Sequence, residues 1–311
     1  MEIKKLKIVY FGTPDISAKV LEHLIEDGFN IVGLVTQIDK PQGRKNIITP
    51  TPTKIVAMKH GINVYQPVKI RNDFNFLKEI NPDIILTLAY GQLIPHEVLE
   101  LPKLGAFNLH GSILPNYRGA SPIQYSLLNG DTETGVTLME MVDKMDAGKM
   151  YYVSKVEISL NDNYSSLKDK ISDAAYDAFI NGIQDVVDGK NKGNEQDENL
   201  ATFTAKINKE DEIIDFNSDN ITLFNKIRAL SYEPGMYFVF NNEKIKILKT
   251  HIVDSNGKPG EIIEYSKNGF IIATLNGALS VDEIQKPGKK VMTFKDFYNG
   301  NQHLFEIGQI I

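Results

Sequence analysis

The chain has 311 residues, enough for about two domains with separate apolar cores. Hydrophobic residues make up 42% and charged residues 24%, which excludes wholesale disorder, and 34 basic against 40 acidic side chains lack the basic surplus of a bulk nucleic-acid binder. Zero cysteines exclude disulfides, a cysteine nucleophile and thiolate metal sites, and fit a reducing cytoplasm.

No apolar run approaches the ~18 residues of a membrane span, and the basic start leads only into Ile8-Val9-Tyr10-Phe11, too short for a signal peptide. Residues 1–205 hold 21 basic and 26 acidic side chains, and 206–311 hold 13 and 14, so a polyanion has to be met by a local patch. Short β-branched runs then alternate with helix-length segments. Residues 7–11 read as a strand, with Thr13 as N-cap and Pro14 opening a helix that Gly28 closes. Strands follow at 31–36 and 62–65, separated by a long polar loop and a helix over 53–60. A helix over 73–80 precedes the apolar strand 83–88, buried on both faces, and further strands fall at 106–110 and 135–141 around a helix from Ser121-Pro122 to Leu128. The pattern is α/β, with a doubly wound and mostly parallel, Rossmann-like sheet. A helix over 164–187 runs into an Asn/Gly-rich stretch without an apolar residue up to Asn199. It reads as a surface linker. Beyond it, a helix over 220–230 and five short strands between 236 and 284 suggest a small barrel of the oligonucleotide-binding kind. The expected domains are 1–187, a linker over 188–205, and a barrel over 206–311.

Several motifs fail. Phe11-Gly12-Thr13-Pro14 has one glycine where a dinucleotide turn needs several, no Gly-Lys-Ser/Thr phosphate loop occurs, and His96-Glu97-Val98-Leu99-Glu100 lacks a zinc helix's second histidine. What survives is Phe107-Asn108-Leu109-His110-Gly111-Ser112 at the end of a strand, where alternation sends Asn108 and His110 to the same side. Either aspartate of Asp143-Lys144-Met145-Asp146 is able to orient that imidazole.

With this segment the chain resembles the folate-dependent formyltransferases. The likeness covers nearly the whole sequence: Phe11–Pro14, the loop from Thr36 to Lys45, Gln66-Pro67, the turn from Ala89 to Pro95, Asn108-Leu109-His110, and Met145-Asp146-Ala147-Gly148. Lys45 stands where the family usually has a second glycine after Arg44. The junction Arg228–Gly235 lacks the family's Asn-Pro. The resemblance implies transfer of a formyl group from 10-formyltetrahydrofolate to the amino group of methionyl-initiator tRNA, without a metal. It assigns Asn108 to the developing oxyanion, His110 to the proton and Asp146, rather than Asp143, to fixing the imidazole tautomer. Tyr90, Gly91, Leu93, Ser112, Ile113, Leu114 and Pro115 are the implied folate contacts. Lys40, Arg44 and Lys45 are the implied tRNA contacts, and Lys286, Lys289 and Lys290 lie on a late loop of the barrel. A cytoplasmic monomer is expected. Competing expectations are a formyltransferase acting on a nucleotide-linked amino sugar, a hydrolase that gives the formyl group to water, and a non-catalytic RNA-binding protein on the same scaffold.

Overall fold

A computed structural model describes residues 2–43 and 45–311. In chain order it lays down β1 (Ile8–Gly12), α1 (Asp15–Glu26), β2 (Ile31–Val35), β3 (Lys40–Gln42), β4 (Ile47–Thr49), α2 (Pro52–Lys59), β5 (Val64–Tyr65), α3 (Asn75–Ile80) and β6 (Ile84–Leu88). There follow α4 (His96–Leu99), β7 (Gly105–His110), β8 (Arg118–Gly119), α5 (Pro122–Leu128), β9 (Glu133–Glu140), β10 (Met150–Glu157), α6 (Tyr164–Val187) and β11 (Phe203–Thr204). Two compact units result. One runs to Pro122 and adds Glu133–Glu157 and Lys168–Thr204; the other joins Ile123–Thr132 and Ile158–Leu167 to Ala205–Ile311.

The first unit holds a seven-stranded sheet in the order β10-β9-β7-β6-β1-β2-β5. Neighbours from β7 to β5 pair in parallel, while β9 and β10 pair antiparallel. The short turn joining β9 to β10 leaves no room for the crossover a parallel pair needs. Every residue of β1 and β6 is buried, as central parallel strands require. Because β1, β2, β6 and β7 run the same way, their carboxyl ends line one edge, where open α/β sheets bind ligands. Side chains lock that edge: Thr13 Oγ1 donates to the Tyr90 carbonyl at 2.8 Å, and Thr53 Oγ1 to the Gly12 carbonyl at 3.0 Å. Thr13 therefore does not cap α1, whose N-cap position falls to Pro14. The long polar loop after β2 contains a hairpin, β3 against β4, that its polar composition concealed.

The second unit continues with α7 (Asn220–Leu230), β12 (Met236–Phe240), β13 (Glu243–Val253), β14 (Ile262–Ser266), β15 (Gly269–Ala273), β16 (Ala278–Gln285), β17 (Met292–Thr293) and α8 (Phe294–Gly300). Its strands pair antiparallel along β12-β13-β16-β15-β14, with β17 added to β16. Leu223, Ile227, Phe238, Ile247, Phe270 and Phe297 belong to a core separate from that of the first unit. Asp219 caps α7 by accepting from the Thr222 N–H at 2.9 Å. Among the described residues, no helix is long and apolar enough to cross a membrane.

Candidate active site

Strand β7 ends the sheet's parallel run with Asn108 and His110 two residues apart, hence on one face. The imidazole is buried. Its Nε2 lies 2.8 Å from the carbonyl oxygen of Tyr117, and its Nδ1 lies 3.6 Å from Asp146 Oδ2. A carbonyl only accepts, so Nε2 carries a hydrogen, and Nδ1 is the nitrogen that faces the carboxylate. The Tyr117 carbonyl holds one ring nitrogen, and Asp146 stands beside the other. At 3.6 Å the two groups are beyond hydrogen-bond distance, and an ion pair forms there only when the ring is protonated.

Asp146 sits in the β9–β10 turn with a left-handed φ of 50°. Its Oδ2 accepts from the Gly119 N–H at 2.8 Å, while Oδ1 has no hydrogen-bond partner among the described residues. Asn108 is half-buried, and its side-chain amide likewise has none among them. An uncommitted amide donor, a buried imidazole and a carboxylate beside it are suited to stabilising an oxyanion and moving one proton. Asp143 instead pairs with His96 at 3.3 Å, far out in solvent.

The segment after β7 is bolted to β9. Thr137 Oγ1, opposite His110 in the ladder, accepts from the Leu114 N–H at 3.1 Å and donates to the Ser112 carbonyl at 2.7 Å. Ser112 is fully buried and its hydroxyl donates to the Asn116 carbonyl at 2.5 Å; Leu114 is buried as well. Of the four implied folate contacts in this segment, only Ile113 and Pro115 keep partly exposed side chains. In the turn after β6, Tyr90 is a core residue, packed edge-on to Phe11 with ring centroids 5.2 Å apart, and burial pushes its phenol well above the ordinary range. Gly91, at φ 92°, and Leu93, 76% exposed, are accessible in that turn.

Lys40 and Lys45 are exposed on the β3–β4 hairpin; Arg44 lies outside the described residues. Ile47 and Ile48 are 62% and 69% exposed on the same ribbon. The hairpin's base is tied down: Lys54 Nζ donates to Asp39 Oδ2 at 2.6 Å and to Gln66 Oε1 at 2.8 Å, and Gln66 Nε2 donates to the Gln37 carbonyl at 2.7 Å. Lys54, followed by Gln66, holds the Asp39 carboxyl below its usual range.

Sequence reading missed one component. The stretch read as a surface linker belongs, up to Thr204, to the first unit. Its β11 pairs in parallel with β8, and Thr202 accepts the Tyr117 N–H on Oγ1 at 2.8 Å and the Arg118 N–H on its carbonyl at 2.9 Å. The only hint was Thr202-Phe203-Thr204, a strand-like run at the end of a polar stretch.

A doubly wound sheet with an amide, an imidazole and a carboxylate at its edge suits acyl transfer, and the family match makes this an enzyme of the formyltransferase class. Residues 4–183 match the formyl transferase family, and residues 206–302 match the formyl transferase C-terminal domain. The chain belongs to this family. The methionyl-tRNA formyltransferase of Kosmotoga olearia is 42% identical to it over 293 residues, which cover 93% of this chain and 94% of that one. Two solved structures share its fold. The N-formyltransferase from Helicobacter canadensis, in complex with folinic acid and dTDP-3-aminofucose, superposes with a TM-score of 0.67 at 20% identity over 90% of this chain and 99% of that one. HypX from Aquifex aeolicus, in complex with tetrahydrofolic acid, gives 0.65 at 16% identity over 96% of this chain; the shared part is 48% of HypX, a protein about twice as long.

Proposed function

We propose that the protein moves the formyl group of 10-formyltetrahydrofolate to the α-amine of methionine on initiator tRNA, in the cytoplasm. The observation that carries this is the 42% identity to a methionyl-tRNA formyltransferase across nearly the full length of both chains. The folate supplies the formyl carbon. Three features suit such a donor: the uncommitted Asn108 amide, the exposed backbone at Gly91 beside the apolar Leu93, and the partly exposed Ile113 and Pro115.

As the amine adds to the formyl carbon, Asn108 donates an amide hydrogen to the oxygen that gains charge, an interaction worth about 3–4 kcal/mol where it is well aimed. His110 Nδ1 takes the amine's proton, because Tyr117 keeps the ring's hydrogen on the opposite nitrogen. Asp146 then faces an imidazolium instead of a lone pair, so its attraction grows as the proton arrives. His110 returns that proton to the departing nitrogen as the carbon–nitrogen bond breaks. Lys40, Arg44 and Lys45 are assigned to phosphates of the acceptor, and this basic hairpin favours RNA over a nucleotide-linked sugar.

Incubating the protein with 10-formyltetrahydrofolate and methionyl-tRNA, then measuring formyl-methionine after hydrolysis of the ester, tests this. His110→Ala is expected to lower turnover about 10²- to 10⁴-fold while tRNA binding persists. No product from the wild type, or undiminished turnover in the variant, overturns the proposal.

A further inference from the structure

The chemistry above leaves a buried guanidinium unexplained. Arg118 has no exposed surface, and its side-chain partners come from one distant segment. Its Nε donates to Gln196 Oε1 at 2.9 Å, and its terminal nitrogens reach the Glu198 carboxylate at 3.0 and 3.3 Å. Gln196 is itself 8% exposed and works in two directions. Its Nε2 donates to the carbonyls of Asp146 and Gly148, both at 2.8 Å. One buried carboxamide therefore joins the two loops that flank His110: the loop whose Tyr117 carbonyl holds the ring, and the turn that carries Asp146. Both amide hydrogens and the carbonyl oxygen of that side chain are used on these loops.

We infer that Gln196 is a positioning residue for formyl transfer, holding the Asp146 main chain against the Arg118 loop and so fixing where the carboxylate stands relative to the His110 ring; this rests on the reaction proposed above. Two observations make the tether necessary. Asp146 occupies a left-handed conformation, which aspartate tolerates better than most non-glycine residues but at some cost, so contacts to its main chain help to keep it there. Its carboxylate is also not hydrogen-bonded to the ring, so the 3.6 Å separation is maintained from elsewhere. The Gly119 N–H on Oδ2 ties the side chain to the Arg118 loop, and Gln196 ties the backbone to the same loop. Thr202 completes the arrangement, since its N–H donates to the Pro115 carbonyl at 3.3 Å on the near side of Tyr117.

Gln196→Ala removes the whole tether, and Gln196→Glu provides the sharper test. Glutamate keeps the length and the oxygen that accepts from Arg118, but loses both amide hydrogens that reach the two carbonyls. In each variant kcat is expected to fall about ten- to hundredfold, as displacements near 1 Å do, with KM for folate and for methionyl-tRNA within about twofold of wild type. Because Gln196 acts through Asp146, adding Gln196→Glu to Asp146→Asn is expected to cost little beyond Asp146→Asn alone. The imidazole ¹⁵N resonances of His110 are expected to move in Gln196→Glu in the direction that Asp146→Asn moves them. That spectrum reads the geometry whichever amine is the acceptor, so a wild type inactive toward methionyl-tRNA counts against the functional proposal alone. Unmoved His110 resonances in Gln196→Glu, wild-type kcat in that variant, or losses that multiply in the double variant each overturn the inference.

Discussion

His110 has two nitrogens and two different neighbours, and most of the site's chemistry follows from which neighbour is a carbonyl. Alternation along a strand made Asn108 and His110 legible in the sequence as a pair, because period two is a property of the side chains themselves. The carbonyl of Tyr117 was not legible: every residue has one, and only the folded loop decides where it points. Glu198 shows the same limit, since nothing in Asp197-Glu198-Asn199 marks it as the partner of a buried arginine 80 residues earlier. Its carboxyl is held down at about 2, first by the Arg118 guanidinium and then by the Lys144 ammonium at 2.5 Å. A carboxyl whose pKa falls on folding stabilises the protein at pH above its unfolded value near 4.5, and that contribution fades as pH drops from there toward 2. The side chain is 54% exposed, so the effect is modest. Melting temperatures of wild type and Glu198→Gln, compared across this window, are expected to converge as pH falls; other carboxylates cancel in the difference. A gap that stays constant down to pH 2 would mean the ion pair does not contribute.

At the scale of elements, the sheet's parallel centre was readable because β1 and β6 are continuous apolar runs bounded by turn residues, a signal carried by composition alone. The segment over 188–204 was not. Its attachments run largely to backbone atoms and through polar side chains, so it has the composition of a solvated linker while serving as a structural strap. Near the site, Gly119 and Gly148 mark where elements come too close for a Cβ. On Gly119, at φ 105°, a Cβ would stand 2.6 Å from the Thr204 carbonyl oxygen, where β11 lies against β8. On Gly148 it would stand 2.1 Å from the Glu140 carbonyl oxygen, across the neck of the turn that carries Asp146. Backbone on both sides leaves no rotamer to absorb the methyl, so Gly148→Ala has to open the turn. The expected cost is about 1–3 kcal/mol of stability, together with a drop in kcat larger than any change in KM. Thermal unfolding and steady-state kinetics on one preparation check both, and an alanine variant with wild-type kcat would show that Asp146 tolerates movement of its turn.

For the molecule as a whole, the central difficulty is that an acidic chain is proposed to bind an RNA. The net charge of −6 repels a polyanion, but at physiological salt charges farther than about 8 Å are largely screened, so groups in contact with phosphate decide the affinity. Most lysines of the first unit are already compensated: Lys54 pairs with Asp39, Lys59 with Glu22, Lys103 with Asp83, and Lys190 with Asp185 and Asp188. Lys40 and Lys45 form no ion pair among the described residues and stand exposed on a hairpin whose base is fixed by the Lys54–Asp39–Gln66 network. A cation without an internal partner loses least on meeting a phosphate, and a fixed base lowers the entropy of placing it there. Each phosphate contact releases about one counterion, so the doubly substituted Lys40→Ala/Lys45→Ala protein is expected to bind methionyl-tRNA more weakly and with a log–log salt slope shallower by about 1 to 2. Lys190→Ala, which removes an already paired cation, is expected to leave the slope alone. Binding titrations between roughly 50 and 200 mM salt, the range over which such slopes are well resolved, separate the two cases. Equal slopes in wild type and the hairpin variant would remove this ribbon from the RNA interface and return the question of the acceptor to the amino sugars.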